Sequence, residues 1–168
     1  EILSTGDGTI NEQYNFKKLH AFEDWRKKLS HFHESEFSLD ERKWLSVEHY
    51  YQAQKFKDNF SSFYEQFTID SNSELSQDVV MAKSAGSKNG KYKGKRIRPI
   101  NVEIDDTIEQ KRSSIMQNAI FSKFTYNKEL GQILLETKNA KLVHFVKGHS
   151  PIPATDLMIV RKKIRMDN

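Results

Sequence analysis

The segment Trp44-Leu45-Ser46-Val47-Glu48-His49-Tyr50-Tyr51-Gln52-Ala53-Gln54-Lys55-Phe56 sets the reading of the whole chain. Ser46 is a residue type that caps a helix, because its hydroxyl accepts from a backbone N–H that the first turn leaves unpaired. Neither Gly nor Pro interrupts Val47 to Phe56, so a helix is expected from Ser46 onward with Glu48 in its first turn. On that helix Glu48, Gln52 and Lys55 stand at i, i+4 and i+7 and share one stripe, while Val47, Tyr50, Ala53 and Phe56 fill much of the rest. At about 1.5 Å of rise per residue, the Glu48 and Lys55 backbones lie roughly 10 Å apart. That is too far for an ordinary ion pair within a helix, yet both side chains can converge on one ligand. By spacing alone, the same stripe also describes the solvated face of an amphipathic helix.

Upstream, Phe37 and Leu39 around Asp40-Glu41-Arg42-Lys43 suggest an irregular turn or small hairpin. Before it, Phe16, Leu19, Phe22, Trp25 and Leu29 recur at helical intervals. Residues 1–12 are polar and are expected to form a loose N-terminal segment, leaving residues 13–168 as the domain. Downstream, a helix is expected over Ser73 to Ala85, ended by Gly86 and followed by a mobile glycine and lysine loop. Asp105 or Asp106 can cap a long helix carrying Ile108, Ile115, Ala119 and Phe124. A shorter helix follows Asn127, Leu142 to Val146 suits a strand, and a last helix is expected from about Thr155 to Ile164. The fold class is therefore helix-rich α+β, a single domain with a few short strands.

With 168 residues and 36% hydrophobic content the chain suits one core. It holds no apolar run of about 20 residues and no basic stretch followed by an apolar block at its start, so a cytoplasmic location without membrane association is expected. It has no cysteine, which removes thiolate nucleophiles, disulfides and cysteine-containing zinc sites. The net charge is +4, but Lys83 to Arg98 holds seven basic residues and no acidic one, so the remainder carries −3. Such local basic character points to a phosphate-bearing ligand or a nucleic-acid strand, with a solvated loop as the plain alternative.

A carboxylate fixed at the start of a helix can stabilise a developing positive charge or activate water. Glu48 is the candidate, since the positive end of a helix favours the carboxylate form. Lys55 could anchor a ribose or phosphate oxygen as an ammonium, or attack a ring-opened sugar carbon as an amine. Trp44 and Tyr51, nearest to Glu48, could stack on a base or fill the core. His31, His33 and His49 lack the carboxylate spacing of a familiar metal site, so no metal is expected.

The stretches Leu29-Ser30-His31-Phe32-His33, Phe37 and Trp44 to Phe56 resemble the signature of the NADAR or YbiA-like family. In that signature a Ser-Asn-Phe element precedes an aromatic residue and a Ser-Val-Glu-His-Tyr-Tyr-Gln-Ala-Gln-Lys helix. Ala85-Gly86, Arg98-Pro99, Lys111 to Met116, Lys123-Phe124 and Leu134 to Val143 follow in the matching order, so the resemblance spans roughly Leu29 to Ile164. It implies an N-glycosidase that needs no cofactor. Its substrates would be ribosylamine compounds, as in riboflavin synthesis, or ADP-ribosylated bases of nucleic acid. It carries the catalytic glutamate and lysine onto Glu48 and Lys55, matches Asp156 as an assisting carboxylate and matches Arg98 as a phosphate contact; Ser30, His31, Trp44, Tyr51 and Gln52 complete the candidate substrate-binding set. Two departures stand out: His31 occupies the asparagine position, and Thr155 to Arg161 replaces the Asp-x-x-Trp-Gly element, so its tryptophan has no counterpart. A module that binds NAD or ADP-ribose without catalysis is the alternative.

Overall fold

The computed structural model describes residues 2–4 and 16–167. In chain order it contains β1 (Ile2–Ser4), α1 (Lys17–His20), α2 (Trp25–Lys28), β2 (Phe37–Leu39), β3 (Arg42–Trp44), α3 (Val47–Gln54) and α4 (Ser61–Glu65). After a 3-10 turn (Ile69–Ser71) come α5 (Glu74–Gln77), α6 (Val79–Ala85), β4 (Lys91–Tyr92), β5 (Lys95–Arg96), α7 (Ile108–Tyr126) and α8 (Lys128–Glu136), then β6 (Lys141–His144), β7 (Ile152–Pro153) and α9 (Thr155–Asp167). The result is a helix-rich α+β fold in which every strand pairing is short and antiparallel. Of the expected loose segment, residues 1 and 5–12 lie outside the described residues, as do residues 13–15 of the expected domain, while Ile2–Ser4 pair with Lys141–Val143.

Ser46 does cap α3, accepting from the His49 backbone N–H at 3.2 Å. The hairpin before it pairs Phe37 with Trp44 and Leu39 with Arg42, turning through Asp40 and Glu41 at φ 53 and 57. Both Phe37 and Trp44 thus point inward and are fully buried. Beneath α3, Phe56, Phe63 and Phe67 form an aromatic cluster with ring centroids 4.9 to 5.9 Å apart. The long α7 runs through the centre and packs on α3, α8, α9 and β2, so it brings its own side chains beside the Glu48 stripe.

Three expected elements differ. The helix around Phe16 to Leu29 is two short ones, because Asp24 adopts a left-handed conformation at φ 52. The helix over Ser73 to Ala85 breaks at Asp78, which is extended and whose Oδ1 accepts from Val80 and Met81 N–H, both at 2.9 Å. A carboxylate that caps a new helix competes with continuation of the old one. The expected mobile loop contains the β4–β5 hairpin, whose two-residue tip, Lys93-Gly94, has φ 48 and 79. Asn127 separates α7 from α8 by accepting from Leu130 N–H at 3.2 Å. Asn127→Ala is expected to cost about 1 kcal/mol, read as a lower urea midpoint at unchanged m-value.

Candidate functional site

Glu48 is only 8% exposed although it is a carboxylate on a first turn. Gln52, one turn on and 4% exposed, donates to Glu48 Oε1 at 2.7 Å, so the carboxylate is fixed by a buried amide. The Glu48 backbone N–H donates to the His31 carbonyl at 3.1 Å, which ties the start of α3 to the preceding turn. Lys55 follows α3 and donates to the Gly86 carbonyl at 2.7 Å, with its ammonium 5.1 Å from the Tyr51 ring centroid. Burial pushes the Lys55 pKa below its ordinary value, opposed by the fields of Glu48 and Glu109. The expected stripe is therefore partly desolvated and aimed inward.

Lys55 is shared with a cleft of about 480 Å³ lined also by Gly86, Ser87, Lys88, Arg98, Val102, Ile108 and Glu109. A wider hollow of about 590 Å³ at His33 to Glu36 and Tyr126 to Lys128 holds none of the stripe. Gly86 is required where the stripe meets the cleft, because a Cβ there would stand 1.8 Å from Gln52 Oε1. Gly86→Ala is expected to turn Gln52 away from Glu48 and lower stability by about 1 to 3 kcal/mol, checked by urea melts.

Arg98, expected at the substrate, lines the cleft but directs its guanidinium at the chain. Nη1 donates to the Ala85 and Ser87 carbonyls at 2.9 and 2.7 Å, and Nη2 to the Lys88 carbonyl at 3.2 Å. Trp44 does not reach the cleft. It is fully buried, its indole N–H donates to the Leu39 carbonyl at 2.9 Å, and it meets Tyr50 and Tyr64 edge-on. The physical reason is the hairpin register, which turns Trp44 to the same side as Phe37.

Ser30, His31 and Asp156 do not line this cleft, and the His31 carbonyl that accepts from the Glu48 N–H joins their turn to the stripe. Ser30 Oγ accepts from Phe32 N–H, and its carbonyl accepts from the fully buried Lys123 Nζ at 2.7 Å. Burial, reinforced by Lys123 and His144, lowers the His31 pKa to about 4, while Asp156 opposes it. Asp156 is held from α7, accepting from Ser113 Oγ at 2.7 Å and Gln117 Nε2 at 3.0 Å. Two residues of α7 went unread as site residues. Glu109 acts on both Tyr51 and Lys55, and the Arg112 guanidinium lies 5.5 Å from the Tyr51 centroid. Their signal, a Glu and an Arg three apart on one helix, is too common to single out by sequence. Among the described residues no three His, Asp or Glu groups gather as a metal site, and no helix is long and apolar enough to cross a membrane.

The NADAR domain matches this chain over residues 13–148. The chain belongs to the NADAR family. The match includes the whole stripe, the cleft and α7, and ends before Asp156. The fold of this NADAR protein is similar to the NMR structure of the E. coli protein YbiA, with a TM-score of 0.59, 24% identity, and coverage of 83% of this chain and 76% of that one. No curated protein matches the chain.

Proposed function

We propose that this NADAR protein is a hydrolase that cleaves the C–N glycosidic bond of an ADP-ribose-like or ribosylamine substrate, including ADP-ribose attached to a nucleobase. The observation that carries the reading is the buried Glu48 carboxylate, held by Gln52, on the same helical stripe as the desolvated Lys55. As the glycosidic bond breaks, its electron pair leaves with the nitrogen and C1 of the ribose becomes cationic. Glu48 stabilises that charge and takes a proton from the attacking water, whose oxygen completes the new bond to C1. The departing nitrogen takes a proton from solvent and Glu48 gives the one it accepted back to solvent, so the products are the free amine or base and the sugar hemiacetal. Lys55 holds a ribose or phosphate oxygen as its ammonium, and Asp156 assists from α9.

Membership in a family linked to N-glycosidases supports this reading. The desolvation of Lys55 supports a second role, since it enlarges the fraction of neutral amine able to form an imine with a ring-opened sugar. Borohydride added during turnover leaves the enzyme unlabelled on the first scheme, whereas a stable mass adduct on Lys55 assigns the covalent one. The activity itself is tested by incubating the protein with ADP-ribosylated guanine oligonucleotide, ADP-ribosylated protein and ribosylamine nucleotides, and weighing the released base and sugar. Release from any of these supports a hydrolase and names its substrate. ADP-ribose binding without release identifies a silent binding module instead.

A further inference from the structure

Arg98, the arginine at the cleft, uses both terminal nitrogens on the carbonyls of residues 85, 87 and 88 and so closes a loop of its own chain. Arg112 presents the contrary arrangement. It is exposed, and among the described residues it makes no ion pair and no side-chain hydrogen bond. Asp156, the carboxylate that reaches the neighbouring residue of α7, accepts from Ser113 and Gln117 and makes no ion pair with Arg112 among the described residues.

Its position is nonetheless held. The guanidinium rests 5.5 Å from the Tyr51 ring centroid, and the Lys55 ammonium lies 5.1 Å from the same ring. Stacking restrains a guanidinium plane while leaving the N–H groups at its edge available, a geometry that suits the paired oxygens of a phosphate. Arg112 and Lys55 thus share one Tyr51 ring, and Lys55 in turn lines the cleft.

We propose that Arg112, held over Tyr51 beside Lys55, is the side chain that binds a phosphate or diphosphate group of the ligand in this site. This deepens the reading of the stripe as a ligand site and gives Tyr51 the task of supporting a cation. Arg98 becomes a residue that shapes the cleft.

The test is calorimetric titration of inorganic pyrophosphate, ADP-ribose and adenosine into the wild-type protein, Arg112→Ala and Arg112→Lys. Arg112→Ala is expected to weaken pyrophosphate and ADP-ribose at least tenfold and to leave adenosine binding and the melting temperature unchanged. Arg112→Lys, which keeps charge but loses the planar fork, is expected to fall between. Equal affinities in wild type and Arg112→Ala overturn the proposal, as does an equal loss for adenosine, which would mark lost packing on Tyr51. Failure of the wild-type protein to bind either phosphate compound overturns it too. Pyrophosphate binding that depends on Arg112, with no glycosidic product from any substrate, sinks the hydrolase reading while this one stands.

Discussion

Glu48→Gln is expected to lower kcat by roughly two to three orders of magnitude while leaving the melting temperature nearly unchanged. The two side chains have the same shape, and the amide oxygen of the variant can still accept from Gln52 Nε2 as Glu48 Oε1 does at 2.7 Å. What disappears is the negative charge opposite the developing ribose cation and the capacity to take a proton from water. Both are used only in the transition state, so kcat and kcat/KM should fall together with little change in KM. Steady-state kinetics on the substrate that releases product reads this directly. Turnover equal to wild type would return Glu48 to a packing role and remove the chemical basis of the proposed function.

The protein is expected to lose on the order of 6 kcal/mol of stability between pH 6.5 and pH 4, about half from each of two buried histidines. Burial lowers both His31 and His49 from 6.5 to about 4. Above pH 6.5 each is neutral in the folded and unfolded chain, so neither contributes. As pH falls through 6.5 the unfolded chain takes up protons that the folded one refuses, and the penalty grows until the folded pKa is reached. His49 is fully buried with Nδ1 2.8 Å from Ser46 Oγ, so the α3 cap itself is exposed to this loss. For His31 the surrounding groups are Lys123, His144 and Arg112, which disfavour its proton, and Asp156, which favours it. Urea midpoints at pH 7.5, 6, 5 and 4 check the slope, and His49→Gln should flatten it by about half. A wild-type midpoint that is flat across this window would contradict the neutral burial of both rings.

The contrast between what could and could not be read in the chain follows from where each contact partner lies. The α3 cap was legible because Ser46 and the backbone it serves are three residues apart. The stripe was legible because 3.6-residue periodicity fixes which side chains share a face. The breaks at Asp24 and Asp78 were not, since an aspartate that turns or caps a helix looks like any solvated one until its backbone conformation is known. The duty of Arg98 was hidden because its acceptors are backbone carbonyls, which every segment possesses. Trp44 was assigned to the ligand by its nearness to Glu48 along the chain, whereas hairpin register sent it to the core. Arg112 and Glu109 enter only through the rotation of α7 against α3, a packing variable that local spacing does not encode.

The placement of the two tryptophans decides how this protein can be observed. Trp44 is fully buried against Tyr50 and Tyr64, and Trp25 is buried between His20 and Arg26, with the Arg26 guanidinium 4.1 Å from its ring. Neither lines the cleft. Intrinsic indole emission therefore tracks the opening of the core with two differently quenched reporters, and it stays dark to whatever occupies the space beside Lys55.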